Sequence, residues 1–269
     1  MDFSGIDLAI HIGVVGFAVG LWVLLRRSRR ETQRLRQRLE SATGKLQNLQ
    51  LAFSRFAPDE VVERVIAGGI GDIGERKEVT IIFADLVDFT ALSEQVEPTV
   101  LVGILNGYFD RMSEAISQHR GYVSTFIGDG ILALFGALSP NPWQGNDAVH
   151  AALAMRKALA AYNRELVERS IPELSIGIGL NRGMGVAGLV GSRDLKEFAF
   201  VGRTVNVAAR VQDLTRQHSA DIIVTAALKE SLDPCFQLRA LPTTRVKGVA
   251  EPLSIYAVDG FAGADEAVG

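Results

Sequence analysis

Apolar residues follow three different periods along this chain, and each period predicts a different kind of element. From position 8 to 25 they are continuous, broken only by His11. As a helix this run rises about 27 Å, close to the roughly 30 Å of a bilayer's hydrocarbon core, so it reads as a transmembrane helix. The spacing then changes. Leu35, Leu39, Ala42, Leu46, Leu49, Phe53 and Phe56 follow in steps of four and three, with Gln, Arg, Lys and Glu between them. A sustained 3.5-residue period is a heptad seam and predicts a two-stranded coiled coil over 26–56. An amphipathic helix lying on its own domain is the alternative, and Ala42 and Gly44 weaken the seam. Pro58 breaks the helix, and the linker 57–76 carries one more short helix that Gly68, Gly69 and Gly71 end.

Beyond residue 77 short strands alternate with long helices. Strands are predicted at 79–84, 122–126, 131–135, 174–180, 186–190 and 222–225, with 186–190 pairing to 174–180. Helices are predicted at 99–119, led by Pro98, at 147–168 and at 204–214. The order strand, helix, strand, strand, helix, strand predicts an α+β fold, a ferredoxin-like βαββαβ domain over 77–259. Small residues and acids make 260–269 a disordered tail.

Charge adds orientation. The net charge is −3, which gives no general attraction for nucleic acid. Locally, Arg26, Arg27, Arg29 and Arg30 follow the apolar run, while 1–7 contain no Lys or Arg. Basic residues stay on the cytoplasmic side, so 1–7 face outward and the rest faces the cytoplasm, as a single-pass protein of the inner or plasma membrane. A cleaved signal peptide would show the reverse flanks. The single cysteine, Cys235, excludes an internal disulfide and fits a reducing compartment.

Two aspartates stand out chemically. Asp85 follows directly on the strand 79–84, where a carboxylate is costly unless paired or bound to a cation. Asp129 lies between Gly128 and Gly130 in a tight hairpin, where glycines allow positive φ and close approach of a ligand. If the two strands are neighbours, both carboxylates meet at one sheet edge. Oxygen-only ligands from two aspartates, completed by phosphate, suit Mg²⁺ or Mn²⁺. Residues 86–90 then leave the strand as a turn or short helix whose amides suit a phosphate.

Four segments carry a family resemblance. Ile82-Phe83-Ala84-Asp85-Leu86-Val87-Asp88-Phe89-Thr90 resembles the first metal motif of class III adenylyl and guanylyl cyclases, and Phe126-Ile127-Gly128-Asp129-Gly130 the second. Gly202-Arg203-Thr204-Val205-Asn206-Val207-Ala208-Ala209-Arg210 is similar to the family's Asn–Arg helix, and Val246-Lys247-Gly248 to a C-terminal strand whose lysine meets the triphosphate.

The resemblance implies an adenylate cyclase. ATP is converted to 3′,5′-cyclic AMP and pyrophosphate, with Asp85, the Leu86 carbonyl and Asp129 holding two metals. Asn206 positions the ribose, Arg210 stabilises charge on the α-phosphate, and Phe89, Thr90 and Lys247 meet the phosphates. It further implies a homodimer in which one subunit supplies the metals and the other the Asn–Arg pair, the same dimer that the seam predicts. At the two base-selecting positions stand Thr125 and Ala199, where the family's adenylyl members usually carry lysine and an aspartate or threonine. Guanylyl members commonly place glutamate and cysteine there. Thr125 offers one hydrogen bond and Ala199 none, which leaves open a weakly selective enzyme, a catalytically silent cyclase-like signalling domain or, third, a guanylate cyclase.

Overall fold

The computed structural model describes residues 33, 36–45, 74–192, 196–246, 249 and 251–262. The chain divides into two compact units, 1–62 and 63–269. In the first, residues 36–45 are helical, and the seam residue Leu39 is 69% exposed in the single chain. The predicted transmembrane helix, most of the predicted coiled coil, the linker up to residue 73 and residues 263–269 lie outside the described residues. Among the described residues no helix is long and apolar enough to cross a membrane.

The second unit runs β1 (Glu75–Leu86), α1 (Phe89–Gln95), α2 (Pro98–Ser117), β2 (Tyr122–Ile127), β3 (Gly130–Phe135), α3 (Gln144–Glu168), β4 (Ile176–Gly191), β5 (Lys196–Val201), α4 (Arg203–His218), β6 (Ile222–Thr225), α5 (Ala226–Lys229), β7 (Phe236–Ala240) and β8 (Ile255–Phe261). The sheet order is β2-β3-β1-β4-β6-β8-β7, with β5 paired to β4. Its first half, built by β1, α2, β2, β3, α3 and β4, is the predicted ferredoxin-like core. β1 lies between β3 and β4, antiparallel to both, and helices contact it from both faces of the sheet, so Val79 to Ile82 are buried without alternation.

Helices α2 and α3 cover one face. The Glu97 carboxylate caps α2 by accepting from the backbone N–H groups of Thr99 (2.9 Å) and Val100 (3.3 Å), and Pro98 occupies the first turn. Ile104, Tyr108, Met112 and Ile116 of α2 and Met155, Leu159, Tyr162 and Leu166 of α3 pack onto Ile82, Ala84, Ile131, Ala133, Ile178 and Leu180. The Tyr162 hydroxyl closes the helix pair by donating to the Ile104 carbonyl at 3.0 Å.

The opposite face carries α4, and glycines set how closely it sits. A Cβ on Gly177 would overlap the Thr215 hydroxyl, and one on Gly179 would overlap the Gln212 backbone nitrogen and lie 2.6 Å from the Ala208 carbonyl oxygen. Between them and Gly183 in the alternation stands Asn181, buried, whose amide donates to the Thr204 carbonyl (3.0 Å) and whose Oδ1 accepts from the Thr225 hydroxyl (2.8 Å). Helix α4 therefore rests on the backbone of β4, pinned at its first turn by one amide side chain. Val207, Val211 and Leu214 close the contact against Ile223, Ile255 and Ala257.

The structure corrects four expectations. Gly260 and Phe261, placed in a tail expected to be disordered, end β8, with Phe261 opposite Phe236. β1 begins at Glu75, because its polar start pairs with the far end of β4 (Glu75↔Ala187); the apolar stretch 79–84 is only its buried middle. Residues 174–180 and 186–190 do not pair with each other. Residues 176–180 and 186–190 belong to one 16-residue strand, and the partner of the second stretch is β5, with Val186 opposite Val201 and Val190 opposite Glu197. Gly183 and Gly185 within β4 are packing glycines, which give room to Thr204 and to the Phe200 ring. Finally, Val246 lies in a loop between β7 and β8 rather than in a strand; nearby, Thr244 forms an isolated bridge with Leu253.

Gly179→Ala is expected to force α4 off the sheet, lowering unfolding stability by about 2–3 kcal/mol in urea titrations.

Candidate active site

Asp85 is the next-to-last residue of β1. Its strand neighbours are Gly177 on β4 and, one residue earlier, Ile131 opposite Ala84 on β3. The β2–β3 hairpin turns through Gly128, at φ +64°, and Asp129, and closes with Ile127 opposite Gly130. A Cβ on Gly130 would lie 3.2 Å from Asp85 Oδ1 and 3.1 Å from the Ile127 carbonyl oxygen. The missing side chain lets the Asp85 carboxylate rest against the hairpin. β3 separates β1 from β2, so the hairpin turn, not strand adjacency, brings Asp129 across to Asp85.

The two carboxylates lie close enough to interact. Asp85 is pushed up from 3.8 to about 6, first by burial, then by the Asp129 charge and its hydrogen bond with Asp129. Arg216 opposes the shift, and Asp213 adds to it. A pair of like charges held this close is relieved either by a proton or by a cation. Among the described residues there is no group of three or more His, Cys, Asp or Glu side chains. The donor set is thus two carboxylates with backbone oxygen nearby. Such a set fits a hard divalent cation that takes further oxygens from water or phosphate.

Leu86 buries its side chain in the core, while its carbonyl accepts from Arg216 Nη2 at 3.1 Å. Arg216 Nη1 also lies 4.0 Å from Asp88 Oδ1. Asp88, at φ +56°, turns the chain into α1, where Phe89 is half-buried against the core and Thr90 is exposed.

Asn206 and Arg210 stand on the exposed face of α4, one turn apart, as predicted. Arg210 pairs with Asp213 at 3.1 Å. The end of α4 that reaches the metal motif is Arg216, ten residues beyond Asn206, which at 1.5 Å per residue is about 15 Å along the helix. One chain therefore gathers Asp85, Asp129 and the Leu86 carbonyl at the end of β1 and presents Asn206 and Arg210 on the exposed face of α4.

Thr125 is half-buried, and its hydroxyl lies 3.4 Å from the Phe126 carbonyl. It sits opposite Leu132, just after a register shift at Val123/Thr125. Ala199 is half-buried on β5 opposite Gly188. Their neighbours touch, since the Ser124 hydroxyl lies 3.5 Å from the Phe198 carbonyl. Lys247 lies outside the described residues.

Sequence reasoning missed Arg216 and Asp213. Their signal was the run Arg210, Asp213, Arg216, charges of alternating sign at three-residue spacing on one helix.

A ferredoxin-like sheet with two aspartates joined across a hairpin, and an Asn–Arg stripe on a separate helix, defines the class III nucleotide cyclase architecture. The chain belongs to the family of adenylate and guanylate cyclase catalytic domains, which matches residues 72–260. It is 34% identical over 233 residues to an adenylate cyclase of Anabaena cylindrica, covering 82% of this chain and 45% of that one. The chain thus spans less than half the length of that relative. Among solved structures, the guanylyl cyclase Cya2 superposes with a TM-score of 0.68 at 32% identity, over 71% of this chain and 96% of that one. The adenylyl cyclase CyaB from P. aeruginosa superposes with a TM-score of 0.66 at 27% identity, over 70% of this chain and 97% of that one.

The raised Asp85 value has a sign that stability measurements can read. Between 3.8 and about 6 the folded chain keeps a proton that the unfolded chain has released. Stability from this group is therefore greatest at the low end of that window and is lost as pH rises through it. With chelator present, Asp85→Asn is expected to melt above the wild type at pH 7.5, and the difference is expected to shrink steadily as pH falls towards 4.

Proposed function

We propose that the chain is an adenylate cyclase, converting ATP to 3′,5′-cyclic AMP and pyrophosphate in a homodimer with two composite sites. The observation that carries the proposal is the division of groups on one chain. Asp85 and Asp129 are held against each other, while Asn206 and Arg210 point outward on α4. A two-fold axis pairs each half with the complementary half of a second copy.

On this reading Asp85, Asp129 and the Leu86 carbonyl hold two Mg²⁺ or Mn²⁺ ions per site. Such ions lower the pKa of the ribose 3′-hydroxyl and neutralise the leaving phosphates. Asn206 of one subunit orients the ribose over the acidic pair of the other. Arg210 leaves Asp213 and sets its planar guanidinium against the α-phosphate as charge builds there. Lys247 meets the terminal phosphates, and the turn through Phe89 and Thr90 lies beside them. Thr125 gives the purine one hydrogen bond and Ala199 none, so ATP is favoured over GTP only weakly.

A second reading, a silent cyclase-like signalling domain that binds nucleotide without turnover, is favoured by Thr125 and Ala199. The four groups Asp85, Asp129, Asn206 and Arg210 speak against it, because binding does not need them all. We propose further that residues 8–25 anchor the chain in the membrane with the cyclase domain on the cytoplasmic side, and that the seam holds the dimer. Fractionation of cells carrying the chain with and without 8–25 tests the anchor; equal partition into the soluble fraction would count against it.

The central test is complementation. Asp85→Ala and Arg210→Ala are each expected to lose at least about 100-fold in cyclic AMP formation. Mixed in equal amounts and allowed to exchange subunits, the two are expected to recover about a quarter of wild-type activity. Half the dimers are then mixed, and each of those has one intact site. Failure to recover would remove the composite site. A GTP rate above the ATP rate with Mn²⁺ would instead overturn the substrate assignment.

A further inference from the structure

The last turn of α4 ends beside the acidic pair, and the sheet fixes it there. Asp85 pairs with Gly177 on β4, and the Thr215 side chain fills the space that a Cβ on Gly177 would take. Thr215 is thus seated next to Asp85 on the face of the sheet that α4 covers, and Arg216 follows it. Arg216 Nη2 donates to the Leu86 carbonyl at 3.1 Å. Its Nη1 lies 4.0 Å from Asp88 Oδ1, beyond hydrogen-bond reach, and the side chain is half-exposed. A guanidinium carries five N–H donors, so most of this fork is unspent on the protein.

A fixed positive charge here calls for a partner. It repels any bare divalent cation held by Asp85 and Asp129. Holding one carbonyl takes one N–H, which a neutral amide also supplies. The guanidinium adds a permanent charge and a planar set of further donors, the pattern that suits phosphate oxygens. Leu86 is the residue next to Asp85, so an anion held by those donors lies beside the acidic pair of the same chain.

We propose that Arg216 is a further binding residue of this site: its unspent N–H groups hold phosphate oxygens of the nucleotide, and of pyrophosphate, next to the acidic pair of its own chain. This rests on the reading that Asp85 and Asp129 hold cations. The bond to the Leu86 carbonyl holds the fork in place beforehand, so less side-chain freedom is lost when the anion arrives. Asn206 and Arg210 reach across to the second copy, whereas Arg216 serves its own chain. Its charge opposes a bare cation and favours a cation that carries phosphate.

The test uses the full chain and Arg216→Gln, which removes the charge and keeps a polar side chain. Binding of Mn²⁺ alone is measured by counting unbound Mn²⁺ with electron paramagnetic resonance. Binding of pyrophosphate is measured by calorimetry with Mn²⁺ saturating. Arg216→Gln is expected to bind Mn²⁺ at least as tightly as the wild type and pyrophosphate about tenfold more weakly. An arginine that only clamps the end of β1 would weaken both together. Unchanged pyrophosphate affinity, or equal losses in the two measurements, overturns the proposal. If Arg216→Gln does not fold, Arg216→Lys replaces it, keeping the charge without the planar fork. It is expected to keep Mn²⁺ affinity and bind pyrophosphate several-fold more weakly; unchanged pyrophosphate affinity overturns the proposal here too. Asp85→Asn separates the two levels: if it binds Mn²⁺ as well as the wild type does, the cation reading fails and this inference fails with it.

Discussion

Everything at this site follows from two carboxylates pressed together at the end of a buried strand. Like charges at such a place are unfavourable unless something positive or a proton lies between them. The fold accepts that cost through specific means. β1 is gripped on both sides, so Asp85 cannot withdraw, and Gly128 and Gly130 form a turn tight enough to hold Asp129 across from it. Arg216 supplies a nearby positive charge while binding the Leu86 carbonyl. The destabilisation is local, and the continuous core under α2 and α3 offsets it.

The second half of the chemistry is placed by a different rule. Asn206 and Arg210 owe their positions to the buried face of their helix, not to any contact of their own. Thr204, Val207, Ala208, Val211 and Thr215 seat α4 on β4 and β6, and whatever lies opposite on the helix must face outward. A polar stripe on a firmly seated helix is poor material for stabilising a single chain, since the ion pair of Arg210 with Asp213 is exposed. It is good material for reaching across to another surface.

Much of this was legible in the sequence because it depends on local pattern. Period-3.6 spacing marked α2, α3 and α4, and a glycine–aspartate–glycine turn between two apolar runs marked the β2–β3 hairpin. Asp85 was visible because a charge ends an apolar strand. What stayed hidden depends on tertiary neighbours. Gly183 and Gly185 look like strand ends until the Thr204 and Phe200 side chains that fill their space are known. β5 has no alternation strong enough to announce it, and its partner is set by the overlong β4. Arg216 matters through a contact 130 residues away in sequence, which leaves no periodic trace.

The backbone-to-backbone seat of α4 has one more consequence. Helices usually rest on side chains, whose rotamers absorb small shifts of the layer beneath. At Gly177 and Gly179 no such cushion exists, and Asn181 ties down the first turn. A change in the twist of β4 therefore passes to the Asn–Arg stripe undamped. The same strand runs alongside Asp85 in register with Gly177. Acid pair and guanidinium are thus both positioned by one strand, and both move as its bending dictates.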